Sequence, residues 1–157
     1  MKLWRIAAST RSHAADDLSG AGAAKRPGRW NAQGDPVVYC AAVVSLAVLE
    51  TAAHVDSAGL PLNRFLIEID VPAATWARRK TLRAASLDAS WAAVPAGLVS
   101  VRAGSAWLKS NASALLQVPS VIVPEEFATL INPAHADAAG ITARVVRRFG
   151  YELLFRA

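Results

Sequence analysis

Gly28-Arg29-Trp30-Asn31-Ala32-Gln33-Gly34-Asp35-Pro36-Val37-Val38-Tyr39-Cys40-Ala41, followed by Ser45-Leu46-Ala47-Val48-Leu49-Glu50, is the stretch that decides the fold class. Its first part is a loop with glycines at both ends. Residues 36–41 read as a strand, β-branched and aromatic, with Pro36 at the first position, where no ladder bond is lost. Ser45 to His54 reads as a helix: Ser45 suits an N-cap, and Leu46, Leu49 and Ala53 recur at helical spacing to form a buried stripe. Working outward, Leu3 to Ala8 is expected to be a first strand and Ser9 to Asp35 a long loop, of a length that is usually functional or mobile. Downstream, Asn63 to Val71 alternates as a strand with Phe65, Ile67 and Ile69 on one side. Pro72 to Pro95 is expected to hold short helices around Trp76 and Trp91, and Ala96 to Lys109 a helix despite Gly97 and Gly104. Leu115 to Val123 reads as a strand pair or bent strand, and Thr142 to Phe155 as β-rich. Strands and helices mix without regular βαβ alternation, so the expectation is a single compact α+β domain, with mixed or antiparallel sheets and flanking helices.

Composition agrees with a folded chain. Of 157 residues, 54% are hydrophobic and 18% charged, which excludes a disordered polyelectrolyte. No uninterrupted apolar run is long enough to span a bilayer. The start, Met1-Lys2-Leu3-Trp4-Arg5, carries no apolar signal core, and Cys40 is the single cysteine, so a reducing cytoplasmic setting is expected. The balance of 17 Lys and Arg against 12 Asp and Glu gives a formal +5. Such charge suits nucleic acid, acidic partners or a phosphate-bearing small molecule, but the basic residues are scattered and form no stripe interleaved with aromatics.

Four side chains stand out as candidates for chemistry. Arg29, between a glycine and a tryptophan, can present a fixed fork of donors to a pyrophosphate or carboxylate; alternatively it pairs with a structural carboxylate. Tyr39 lies near a strand end, where its ring could stack on a flat heterocycle and its hydroxyl form a hydrogen bond, or where it simply packs. Glu50 is an acid in a helix of apolar residues, costly to bury without a partner or a role, unless it points to solvent. Ser120, between Pro119 and Val121, lacks a nucleophile elbow and suits a hydroxyl that positions a phosphate or ribose, or one bonded to local backbone. His54, one helical turn after Glu50, could contact that carboxylate or a ligand. His13 and His135 have no recognisable ligand spacing, so no metal site is expected, and neither a P-loop nor a Gly-x-Gly-x-x-Gly is present.

Taken in order, these segments resemble the RES domain, named for its Arg, Glu and Ser. The resemblance runs from Leu3-Trp4-Arg5 through Gly28-Arg29-Trp30-Asn31, Pro36-Val37-Val38-Tyr39 and Ser45 to Glu50. It continues with Gly104, Trp107-Leu108, Val118-Pro119-Ser120-Val121-Ile122-Val123-Pro124 and Leu130-Ile131-Asn132-Pro133-Ala134-His135. It covers nearly the whole chain, so residues 1–157 are expected to be one RES domain. The family's named residues carry over as Arg29, Glu50 and Ser120, with Tyr39 as a fourth member. Arg5, His54 and Asn31 are expected as further substrate contacts.

The resemblance implies a fold similar to bacterial ADP-ribosyltransferase toxins. It also implies a toxin of a type II toxin–antitoxin pair that consumes NAD as substrate, without a metal. Its partner would be a helix-turn-helix antitoxin that blocks the site, with a cellular protein as a possible acceptor of ADP-ribose and no membrane or direct nucleic-acid contact. On this reading Glu50 and Arg29, with Tyr39, are catalytic, and Ser120 fixes a ribose or phosphate oxygen. Two alternatives stand beside NAD depletion: specific mono-ADP-ribosylation of one protein, with free NAD cleavage a side reaction, and a basic nucleic-acid-binding or ribonuclease-type toxin.

Overall fold

The computed structural model describes residues 1–54, 60–152 and 154. Seven strands form one sheet: β1 (Lys2–Ala8), β2 (Val38–Ala41), β3 (Arg64–Asp70), β4 (Lys80–Thr81), β5 (Leu115–Pro119), β6 (Phe127–Ile131) and β7 (Thr142–Phe149). Their spatial order is β4-β5-β6-β2-β1-β3-β7. Every pairing is antiparallel except the short parallel contact of β4 with β5. Among the described residues four α-helices accompany the sheet: α1 (Ala21–Lys25), α2 (Val44–Ala52), α3 (Ala73–Ala77) and α4 (Leu98–Ser110). This is the expected α+β architecture with flanking helices. Of the terminal β segment expected to reach Phe155, the strand ends at Phe149, while Leu153 and Phe155 lie outside the described residues.

Strand alternation divides the sheet into two faces, because successive side chains point to opposite sides. One face carries Leu3, Ala7, Val38, Cys40, Ile67, Ile69, Leu115 and Ile131, closed by Ala15, Leu18, Trp76 and Ile141. Each such large aliphatic side chain contributes about 1.5–3 kcal/mol on burial. On the other face, Leu116, Val118, Ala128 and Leu130 pack with Trp30, Val37, Trp91 and Trp107 under α4. Beside them, Trp4 and Ala41 meet Leu46 and Ala47 of α2, while Ile6 and Leu66 meet Val48 and Tyr151. The Tyr151 hydroxyl donates to Thr51 Oγ1 at 2.6 Å and ties the segment after β7 to α2.

Two local expectations fail at α2. The N-cap is Val43 and caps through no side chain; Ser45 lies inside the helix and is exposed. The buried residues are Leu46, Ala47 and Val48, while Leu49 is 44% exposed and Ala53 is exposed. At about 100° per residue, the helix is rotated so that the side carrying Ala47 and Glu50, not Leu49, turns inward. Helix α4 forms as expected, with Gly97 as its N-cap and Gly104 in its middle. The long first loop holds the five-residue α1, which the loop reading missed.

Candidate active site

The loop from Gly28 to Asp35 connects α1 to β2 and is built around Asn31, which is 0% exposed. Its amide nitrogen donates to the carbonyls of Ala23 (2.9 Å), Ala32 (3.1 Å) and Asp35 (3.0 Å). Its carboxamide oxygen accepts from the Gly28 N–H (2.9 Å) and the Tyr39 hydroxyl (2.8 Å). Tyr39 in turn accepts the Trp30 N–H at 2.9 Å. The contact is close: a Cβ on Gly28 would lie 2.8 Å from the Tyr39 ring, so only glycine fits there. On the other side Ser105 of α4 accepts the Ala32 N–H (3.2 Å) and donates to the Asp35 carboxylate (2.5 Å). Gly104 lets α4 lie against the loop, because any Cβ at 104 would overlap the Trp30 carbonyl. Trp30 is buried and stacks on Trp91 with ring centroids 6.1 Å apart.

This loop presents Arg29. Its Nη1 donates to the carbonyls of Trp91 (2.8 Å) and Ala93 (2.9 Å). Burial lowers the guanidinium's pKa, and the nearby Glu50 carboxylate opposes that shift. Burial also pushes the Tyr39 phenol well above its ordinary value, against the Trp30 N–H and the Arg29 charge. Tyr39 is therefore neutral at any physiological pH.

Glu50 is half-buried on the inward side of α2. Its Oε1 accepts a hydrogen bond from Ser120 Oγ at 2.6 Å. Ser120, 2% exposed, follows β5 directly, and its Oγ also accepts the N–H groups of Ile122 and Val123, both at 3.1 Å. A hydroxyl has one proton and two lone pairs, so this one is fully engaged. Among the described residues Glu50 makes no ion pair. The result is a fixed carboxylate, with an arginine fork and an aromatic ring on the same face of the sheet. That arrangement suits a ligand that carries anionic groups and develops positive charge during reaction.

Arg29, Tyr39, Glu50 and Ser120 are thus gathered on one side of the sheet. The other three expected contacts are placed differently. Arg5 alternates with Trp4 and Ile6 and points to the opposite face, beside Cys40, where its Nη1 donates to the Asp17 carbonyl at 3.2 Å. Burial lowers its pKa, opposed by Cys40 and Asp17. Asn31 has no exposed atom to offer a ligand, since its amide is spent inside the loop. His54 is exposed in the turn that follows α2.

The sequence reading missed the Trp91 and Ala93 carbonyls that hold Arg29, and the packing role of Gly104. An isolated glycine inside a helical pattern was the available signal for the latter. An apolar cavity of about 190 Å³, lined by Leu18, Ile131, Pro133, His135 and Ile141 among others, opens on the far face and includes none of the gathered side chains. Among the described residues no cluster of His, Cys, Asp and Glu is assembled to hold a metal.

Comparison with known proteins finds relatives over most of the chain. The family described as RES domain matches residues 2–152. A protein of Sphingobium sp. (strain YBL2) named Prs ADP-ribosylating toxin is 54% identical over 149 residues, covering 95% of this chain and 92% of that protein. A Yersinia enterocolitica protein named Toxin Res is 34% identical over 135 residues, covering 86% of each. A chain of the M. tuberculosis MbcT–MbcA toxin–antitoxin complex superposes with a TM-score of 0.65 at 16% identity, over 93% of this chain and 84% of that one, a likeness of fold.

Proposed function

Because the chain belongs to the RES domain family, we propose that it is the toxin of a toxin–antitoxin pair and an enzyme that cleaves the nicotinamide–ribose bond of NAD. The observation that carries the reading is the Glu50 carboxylate, held by Ser120 at 2.6 Å on the side of the sheet that presents Arg29 and Tyr39.

In the proposed reaction the bond between ribose C1′ and the pyridinium nitrogen breaks, and neutral nicotinamide leaves with the bonding pair. C1′ becomes oxocarbenium-like, and the Glu50 carboxylate stabilises that positive charge, as carboxylates do in glycoside cleavage. An acceptor oxygen or nitrogen then adds to C1′ and gives up its proton. Arg29 holds the pyrophosphate, and the Tyr39 ring lies against nicotinamide or its ribose. Ser120, first expected to hold a ribose or phosphate oxygen, instead orients Glu50. No role remains for Arg5, and Asn31 acts only through its neighbours.

The acceptor distinguishes depletion of NAD by water or phosphate from transfer of ADP-ribose to a protein. The second reading is favoured by the 54%-identical relative, whose name makes it an ADP-ribosylating toxin directed at Prs. The partner is an antitoxin that covers the site, of the helix-turn-helix type, and the working place is the cytoplasm. The test is to incubate the purified protein with NAD, with and without phosphate and with and without purified Prs, following nicotinamide by chromatography and adducts by mass spectrometry. Release that requires Prs, with an ADP-ribose adduct on it, establishes transfer; release with phosphate or water alone establishes depletion. No release under any of these conditions from folded protein overturns the reading.

A further inference from the structure

We infer that Asn31 and the Tyr39 hydroxyl form a clamp that sets the position of Arg29, a role that rests on the NAD reading for its consequence but not for its geometry. The bonds grip the chain on both sides of the arginine. Immediately before it, the Gly28 N–H is held by Asn31 Oδ1 at 2.9 Å; immediately after it, the Trp30 N–H is held by the Tyr39 hydroxyl at 2.9 Å. The two acceptors are joined to each other, because Tyr39 gives its proton to the same Asn31 oxygen at 2.8 Å. That oxygen has two lone pairs, and both are taken. The two N–H groups of the Asn31 amide are shared among three carbonyls of the surrounding chain, which holds the hub in its orientation.

Two consequences follow for the site. The Tyr39 hydroxyl is committed to the loop and is not offered to a ligand; only the ring is. The ring and the guanidinium are moreover one unit, since moving Tyr39 releases the peptide that follows Arg29. Packing reinforces the unit: the ring edge fills the space a side chain at position 28 would need. Asn31 and the hydroxyl are therefore positioning groups, acting on a ligand through Arg29.

Tyr39→Phe is the informative variant, because it removes the hydroxyl and keeps the ring. The first measurement is backbone amide exchange by NMR on the ligand-free chain carrying Glu50→Gln, which abolishes turnover and so permits expression. Adding Tyr39→Phe should speed exchange of the Trp30 amide about tenfold, the effect of losing one modest hydrogen bond, while Gly28 keeps its protection. Asn31→Ala should expose both amides. Unchanged exchange at Trp30 in folded Tyr39→Phe overturns the clamp, whether or not the protein binds NAD.

The second measurement is NAD affinity by calorimetry in the same Glu50→Gln background. Tyr39→Phe should weaken binding about tenfold when Arg29 is present and have no effect once Arg29→Ala has been made, the non-additivity expected of groups acting in series. Equal losses in both backgrounds mean that the hydroxyl touches the ligand itself, and the inference fails. Where the parent binds no NAD, the functional reading fails and the exchange result alone decides the clamp.

Discussion

Ser120 Oγ lies 2.6 Å from Glu50 Oε1, a bond that joins the end of β5 to the inward side of α2 across 70 residues of sequence. Both lone pairs of the same hydroxyl take backbone N–H groups, so the serine fixes one rotamer of the glutamate. Ser120→Ala removes a hydrogen bond to a charged group, about 1.5–3 kcal/mol, and is expected to lower kcat by roughly ten- to a hundredfold. KM for NAD should change little, because the carboxylate works on the transition state. Glu50→Ala should abolish nicotinamide release and leave NAD binding measurable. Steady-state kinetics of both variants check this; a Ser120→Ala enzyme altered only in KM contradicts the assignment.

Arg29→Lys is the second expectation. Lysine keeps the charge but not the planar fork, and one ammonium cannot hold the Trp91 and Ala93 carbonyls while binding a pyrophosphate. KM for NAD should rise about ten- to a hundredfold, the worth of one lost charge-assisted bond. Arg5→Lys, on the opposite face of the sheet, should leave KM where it is. The pair of titrations separates the two arginines.

Gly104→Ala should destabilise where helix propensity alone predicts the reverse. Replacing a mid-helix glycine by alanine ordinarily gains about 1 kcal/mol. Here the new methyl would occupy the place of the Trp30 carbonyl, a backbone group that cannot rotate away. Overpacking costs of about 1–3 kcal/mol outweigh the gain. At about 2–4 °C per kcal/mol for a chain of this length, thermal unfolding should show a Tm several degrees lower. Nicotinamide release should fall with it, because the displaced peptide, between Trp30 and Asn31, lies one residue from Arg29.

Acid sensitivity should be traceable to Glu68. Its Oε1 accepts from Lys2 Nζ at 2.6 Å and from Arg144 Nη2 at 2.9 Å and Nε at 3.1 Å. The Lys2 hydrogen bond, assisted by Arg144 and opposed by burial, holds the carboxyl below the ordinary carboxylate range. Its folded value thus lies below the unfolded one of about 4.3, so its stabilisation is complete above the unfolded value and is lost as pH falls through the folded one. Melting curves from pH 7 to pH 3 should show a shallower acid limb for Glu68→Gln than for the parent. Parallel limbs would assign the acid loss elsewhere.

Much of the sheet was legible because its central strands carry one largely apolar face, broken in β1 by Arg5: Leu3 and Ala7, Val38 and Cys40, Ile67 and Ile69 lie on it. The order of the strands was not, since it depends on pairings such as Val38 with Ile131 that join distant segments. At α2 the apolar residues outnumber the places available to them, so spacing could not choose between Leu49 and Ala47 for the inner side. A polar contact, Glu50 with Ser120, lies on the side that turned inward. The four candidate side chains that the fold brings to one side of the sheet are readable as unusual residues in apolar or glycine-rich surroundings. Arg5 lies away from the candidate site although its alternation with Trp4 is visible in the sequence, because nothing local says which face of β1 the site occupies. Asn31 is a buried hub and not an exposed donor, a difference that one dimension does not show.

Cys40 sits on β2 next to Tyr39 but on the other face of the sheet, 6% exposed, its thiol donating to the Thr129 carbonyl at 3.1 Å and its pKa pushed by burial up to about 12. A thiol so placed forms almost no thiolate while the sheet is closed, and thiolate is the species that alkylating reagents attack. The chain has one cysteine, so each molecule can be tagged once, and only after β2 has parted from its neighbours. The protein thereby carries an internal tally of opening events: in a mixed population, untagged mass counts the chains that never came apart.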